Sequence, residues 1–420
     1  MTIPRHLVQT ILDIYTVGVL ILSTDAFLTL LIGGNSPSDV TRGSPVMRVA
    51  WATVYAVTLV RMVRRKNRLS EIVRANRPLC ILLGIAAGSF FWSIDPGATL
   101  HGAVILFLTT LFALDVTMRY TFTRQIQLIR IALLVVVGLS LVIELALPGL
   151  VPGVEYEGAA WHGVFGAKNE FGRITALAVA TCMLPPTPKW TKALMIAIGV
   201  VLGALARSVG TVGYIAAMVL LFLGWPALKW RPKPRKVALL GCTLIAVVVT
   251  YFTARDFAAL TSMMGRDSHL TGRTTLWKMS LADIAQRPGL GYGYGAFWTK
   301  TSRPARLIRE ESHWEDAPHS HNGYIDLTLG LGLAGLGAYL AAFGTVARRA
   351  YIFFMSSNDG YRKWPLTFLS LVFLYQLTES SIVTGDTIFW ILFCSLAFSL
   401  PCGRRGSTPA QAIAFQEAAA

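Results

Sequence analysis

The chain has 420 residues, 54% of them hydrophobic and 14% charged, with a formal net charge of +16. A soluble domain carries about a quarter charged residues, so this composition and a mean hydropathy of +0.55 exclude a water-soluble globular fold and predict an all-α integral membrane protein. The excess of Lys and Arg would suggest nucleic acid in a soluble protein; here it falls mainly in short loops between apolar runs, which makes it a topology signal and removes nucleic acid as a partner.

Crossing about 30 Å of hydrocarbon takes about 20 helical residues. Twelve runs qualify: 8–32, 46–63, 78–93, 98–117, 128–149, 168–185, 190–206, 209–227, 237–253, 322–345, 364–380 and 386–401. Arg5 precedes the first, Asp13 and Asp25 interrupt it, and no small-residue cleavage site follows, so it reads as a retained membrane helix rather than a signal peptide. Basic residues then alternate between loops. Arg61, Arg64, Arg65, Lys66 and Arg68 follow the second run, Arg119 and Arg124 the fourth, and Lys189 and Lys192 the sixth. Lys229, Arg231, Lys233, Arg235 and Lys236 follow the eighth, and Arg348, Arg349, Arg362 and Lys363 the tenth. The positive-inside rule places these loops and both the N- and C-termini in the cytoplasm.

Residues 1–401 are thus expected to form a single polytopic membrane domain, followed by a disordered cytoplasmic tail at 402–420. One long polar loop, 254–320, lies between the ninth and tenth helices on the outer side. Within it Thr274 to Arg287 reads as an amphipathic helix with Trp277, Leu281 and Ile284 on one face, ended by Pro288. That face either lies in the membrane interface or packs on the loop's own core.

The five cysteines form no CxxC pair, which indicates small buried residues rather than a metal site or disulfide framework. Charges within spans are costly and are usually paired or functional. Asp115, at the inner end of its helix, is expected to be solvated, and Asp13 and Asp25 to be paired. Glu144, Lys168, Glu170, Arg173, Arg207 and Glu379 gather at the outer ends, as a polar cavity requires, although each could simply mark a helix end.

Lys168-Asn169 opens a helix, which suits an anion; the alternative is a snorkelling lysine beside an N-cap asparagine. Arg207 stands between two apolar runs, where its guanidinium fork suits phosphate if it lines a cavity rather than making the turn. The run Gly289-Leu290-Gly291-Tyr292-Gly293-Tyr294-Gly295 has the wrong spacing for a nucleotide loop and reads as a close backbone approach.

His321 is placed at the first turn of the tenth helix, where the helix dipole disfavours imidazolium and leaves a neutral general base; His319 is a loop or supporting residue. The spacing of Glu310, Glu311, His313, Glu315, Asp316 and His319 fits no tight metal site, and the group reads as a solvated loop. No cofactor is expected. No Asp-x-Asp pair occurs to hold the metal of a nucleotide-sugar, and no serine-nucleophile motif appears.

Several segments together resemble the O-antigen ligase / polysaccharide polymerase family, closest to its exopolysaccharide polymerase branch. They are Phe91-Trp92-Ser93-Ile94-Asp95-Pro96, Gly163-Val164-Phe165-Gly166-Ala167-Lys168-Asn169, and Leu270-Thr271-Gly272-Arg273-Thr274 with Trp277. Arg287-Pro288-Gly289-Leu290-Gly291-Tyr292-Gly293-Tyr294-Gly295 and His321-Asn322-Gly323-Tyr324 follow in the same order. The resemblance implies a multi-pass bacterial inner-membrane glycosyltransferase that is metal-independent and works on the periplasmic side. Its implied donor is an oligosaccharide linked to undecaprenyl pyrophosphate, and its implied partners are membrane lipids with chain-length regulator and export proteins. By position His321 would be the catalytic base. Arg273, Arg207 and Lys168 would hold the donor pyrophosphate, with Asn169, Asn322, Tyr324 and Arg173 in support. The turn at Arg207 departs from the serine-rich form of the family. Two other readings stand beside polymerisation: a ligase that moves the glycan to lipid A core, and a polysaccharide or lipid transporter. The structural expectation is that Arg273 folds back over the cavity of His321.

Overall fold

The computed structural model describes residues 4–28, 45–63, 69–147, 161–229, 269–312 and 317–401. Among these residues every regular element is helical. In chain order they are α1 (Arg5–Leu22), α2 (Pro45–Val63), α3 (Leu69–Ala75), α4 (Arg77–Gly88), α5 (Pro96–Arg119), α6 (Phe122–Ala146) and α7 (Lys168–Cys182). Then come α8 (Lys189–Leu205), α9 (Val209–Gly224), α10 (His269–Gln286), α11 (Arg303–Glu311), α12 (Gly323–Met355), α13 (Trp364–Tyr375) and α14 (Ile388–Ser399).

Among the described residues six helices are long and apolar enough to cross a membrane: Arg5–Leu22, Pro45–Val63, Pro96–Arg119, Phe122–Ala146, Gly210–Lys229 and Gly323–Met355. The predicted ninth run, 237–253, and the tail, 402–420, lie outside the described residues. Each of the other predicted runs coincides with a helix. The first is shorter than its apolar pattern, because the chain turns at Ser23 and Asp25 and Phe27 both take positive φ. A multi-pass α-helical membrane protein accounts for this arrangement.

Two compact units divide the chain. The first comprises Met1–Val54, Arg119–Thr253 and Phe354–Leu371. Its centre is α7, on which α6, α8 and α9 all pack. Residues Ile174 to Cys182 are all buried, which explains a segment apolar all round. Small residues set the spacing: a Cβ at Gly172 would lie 1.7 Å from Thr211 Oγ1, so the Thr211 side chain of α9 packs directly on the backbone of α7. Arg130 in α6 donates to the carbonyls of Thr181 (2.7 Å) and Pro185 (2.9 Å), closing the end of α7. Asp13 pairs with Arg124, so it is paired as expected.

The second unit comprises Tyr55–Met118, Ala254–Phe353 and Val372–Ala420. Asp115 contradicts its expected solvation: it is 1% exposed and accepts from Arg61 Nε at 3.2 Å. Arg61, near the end of α2, makes burial tolerable by supplying the opposite charge. Arg349 is also buried, donating to Asn76 Oδ1 (2.8 Å), the Ala397 carbonyl (3.0 Å) and the Ala75 carbonyl. It thereby satisfies the ends of α3 and α14, carbonyls that have no helical partner of their own.

The polar hairpin α10–α11 packs around a small core of Leu276, Tyr292, Phe297, Ala305, Ile308 and Ala317 that it shares with Leu329 of α12. Trp277 and Ile284 pack against it, which decides for loop packing over the interface plane. Leu281 does not share that face and is 54% exposed. The helix also begins at His269, five residues before the predicted start, so Arg273 lies inside α10 rather than in a preceding loop.

Candidate active site at the start of α12

The start of α12 is built from His-Asn-Gly-Tyr, and each residue has a local reason. Asn322 is the cap: its Oδ1 accepts the backbone N–H groups of Tyr324 (3.1 Å) and Ile325 (3.2 Å). Gly323 donates its N–H to the carbonyls of Gln376 (2.9 Å) and Glu379 (3.1 Å). A Cβ there would meet Gln376 Oε1 at 2.2 Å, so only glycine allows the approach. Tyr324 donates its hydroxyl to the Phe373 carbonyl at 3.3 Å.

His321 therefore precedes the cap instead of lying in the first turn. It holds φ at +54°, a left-handed conformation costly for a side chain with Cβ. Its nearest electrostatic neighbour is a carboxylate, not the helix dipole: Nδ1 lies 2.9 Å from Glu379 Oε2, with both side chains 11% exposed. An ionised carboxylate can only accept, so Nδ1 carries the proton and the basic lone pair is on Nε2. His319 stacks edge-on at 4.3 Å between ring centroids, and its Nδ1 accepts the His321 N–H at 3.1 Å.

The peptide between the two histidines is clamped from both sides. Trp277 Nε1 donates to the Ser320 carbonyl at 2.7 Å, and the Ser320 N–H donates to both oxygens of Asp326 at 3.0 and 3.2 Å. Asp326 also accepts from Trp298 Nε1 at 2.7 Å. Arg273 stands four residues, one helical turn, before Trp277 in α10. Its side chain lies outside the described residues. α10 touches the His321 loop through Trp277, and the expected contact of the Arg273 side chain falls outside the described residues.

The glycine run holds this end of α12 in place. Gly332 breaks α12 with φ 65° and ψ −169°. The freed backbone groups are taken up by the run: Tyr292 N–H to Leu329 O at 2.8 Å, Gly293 N–H to Gly330 O at 2.9 Å, Leu333 N–H to Pro288 O at 2.7 Å and Ala334 N–H to Gly289 O at 3.1 Å. Broken helix backbone at membrane depth needs such partners. Positive φ at Gly291, Gly293 and Gly295 makes the approach possible. The Phe91–Pro96 segment packs on the same run: Trp92 Nε1 donates to Leu290 O at 2.9 Å and Ile94 N–H to Tyr292 O at 3.0 Å. In this hairpin burial pushes the Asp283 carboxyl above its usual range. Burial and Asp283 likewise raise the Tyr292 phenol, against the lowering effect of Arg287.

A second polar group lies in the first unit, at the start of α7. Arg173 reaches Glu170 at 3.8 Å and Asp25 at 3.9 Å, which pairs Asp25 as expected. Lys168 is the first residue of α7; the residue at its N-cap is Ala167, so Asn169 is not the cap. Glu144, expected at a cavity, accepts the N–H groups of His162 (2.9 Å) and Gly163 (2.8 Å), and so shapes the loop before α7. Trp161 in the same loop donates its N–H to Leu205 O at 3.1 Å, beside the turn of Arg207. Arg207 makes that turn with φ +47°, donating its N–H to Ala204 O at 2.9 Å while Ser208 donates to Gly203 O at 3.0 Å. Its side chain is exposed. Of the two earlier alternatives, the backbone geometry is that of the turn.

Glu379 is the partner of His321 that sequence reasoning missed. The signal was a carboxylate at the end of an apolar run, but its pairing with His321 is tertiary. Of the acidic cluster considered as a metal site, His313, Glu315 and Asp316 lie outside the described residues. Among the described residues, His319, His321 and Glu379 are the group whose donor atoms could hold a metal.

Residues 193–340 match the family model described as O-antigen ligase, a span that includes Arg207, Arg273 and His321. The chain is also 28% identical over 272 residues to the exopolysaccharide production protein ExoQ of Rhizobium meliloti (strain 1021). That match covers 59% of this chain and 60% of the relative's length. The two comparisons bear out what the motifs suggested: the chain is similar to the O-antigen ligase / polysaccharide polymerase family.

Proposed function

We propose that the chain is an inner-membrane glycosyltransferase that joins oligosaccharide repeats carried on undecaprenyl pyrophosphate, with its site facing the periplasm. The observation that carries this reading is the His321–Glu379 pair at the start of α12. An acceptor sugar hydroxyl would lose its proton to His321 Nε2 as its oxygen attacks the anomeric carbon. The bond from that carbon to the pyrophosphate oxygen breaks, and undecaprenyl pyrophosphate leaves from the opposite face, inverting the centre. Glu379 would hold the ring and stabilise the imidazolium as it forms, the role a carboxylate plays behind a catalytic histidine. Arg273, Arg207 and Lys168 would stabilise charge on the departing pyrophosphate in place of a metal ion. Arg173, Asn169, Asn322 and Tyr324 would support them. Membrane lipids, a chain-length regulator and export proteins are the expected partners.

The test is extension of lipid-linked repeats by purified protein. General-base catalysis contributes about 10²–10⁴ in rate, so His321→Ala should fall by that factor, and wild-type turnover would overturn the assignment. A ligase acting on lipid A core would use the same chemistry, and the description of the matching family model favours it. A deletion strain separates the two: carrier-bound full-length chains indicate a ligase, and loss of the length distribution indicates a polymerase.

A further inference from the structure

We infer that His319, His321 and Glu379 also form a site for a divalent transition cation of the zinc class. Their donor atoms all lie within 4.8 Å of one another, and His321 and Glu379 are buried. Two imidazoles and a carboxylate suit zinc, while magnesium and calcium prefer oxygen ligands alone. The dimensions fit. A tetrahedral ion with bonds of about 2.0–2.1 Å holds neighbouring ligands about 3.3 Å apart. The Nδ1 to Oε2 distance is 2.9 Å, so an ion can take the place of the shared proton with a small opening. His319 then closes on it by side-chain rotation, and water completes the set.

The site is also braced. Trp277 and Asp326 hold the Ser320 peptide between the two histidines from opposite sides. Such outer contacts orient metal ligands and strengthen binding.

Coordination through Nδ1 would move the imidazole proton to Nε2. No proton is lost overall, but the nitrogen that serves as base becomes a donor. On the proposed function, and resting on that reading, a bound zinc ion would silence the enzyme reversibly.

The test reads binding without turnover, so its outcome is separate from that of the proposed reaction. The full-length, tag-free protein in detergent is dialysed against low-micromolar Zn²⁺ with excess Mg²⁺, and bound zinc is measured per chain. Stoichiometric zinc is expected in the wild type. In the near-isosteric variants His319→Asn and Glu379→Gln it should fall by at least about ten-fold, with gel filtration confirming a folded sample. If either variant fails to fold, the other decides, together with the loss of zinc when wild-type histidines are first modified with an imidazole-selective acylating reagent. Absence of bound zinc in the wild type, or equal retention in the folded variants, would overturn the site.

Discussion

Glu379→Gln is the substitution that most directly interrogates the site. Gln has nearly the same shape, so the contacts of the 376–379 turn with Gly323 persist, and those use backbone carbonyls in any case. What is lost is the negative charge 2.9 Å from Nδ1 of His321. A hydrogen bond to a charged partner contributes about 1.5–3 kcal/mol, and each 1.36 kcal/mol is tenfold in rate. The charge matters more as imidazolium develops than in the resting state, so the effect belongs on kcat. The expected result is a fall in kcat of about 10- to 150-fold, with KM for the lipid-linked donor little changed. Glu379→Asp should recover part of the loss by keeping the charge at shorter reach. The assay is single-turnover extension of a defined lipid-linked repeat by purified protein, with thermal unfolding recorded in parallel. A Gln variant that turns over within two-fold of wild type, at equal stability, would refute the role of the pair.

Two further substitutions separate scaffold from chemistry. Gly332→Ala places a Cβ 2.2 Å from the Gly289 carbonyl oxygen at φ 65°, so it should displace the glycine run from α12 and destabilise the protein by about 1–3 kcal/mol, read as a lower midpoint in thermal unfolding. Arg207→Gly relaxes a left-handed residue at the end of α8, so it should leave stability unchanged or raise it by about 1 kcal/mol while activity falls; unchanged activity would remove Arg207 from the donor site.

Much of this was legible in the residues themselves. Apolar length located the helices, and the wrong spacing of Gly289 to Gly295 excluded a nucleotide loop while pointing to close backbone approach. The failures have physical causes. The helix read from Thr274 begins at His269 and runs through Gly272, because a single glycine costs a helix only about 1 kcal/mol. Leu281 matched the helical period of Trp277 and Ile284 but faces outward, because a period gives a stripe and not its edges. Asp115 and Glu379 were read by depth alone. Their partners, Arg61 and His321, lie 54 and 58 residues away in sequence, a separation that no local pattern reports.

The backbone itself adds an argument for function. Arg207 and His321 both take φ near +50°, in positions that glycine fills at no steric cost. At Arg207 the helix closes by the hydrogen-bond pattern that normally has glycine at this point. A side chain in this region costs about 1–2 kcal/mol. The helix end at Arg207 gains nothing from the guanidinium, whose side chain faces outward. His321 offsets its cost through His319, which accepts its backbone N–H, and through Glu379, which aims Nδ1 and leaves Nε2 for chemistry. On the proposed function, strain at these two polar residues suits a site in which side-chain direction matters more than backbone ease. Glycine at either position would fold at least as readily, and activity should separate these variants from the wild type where stability does not.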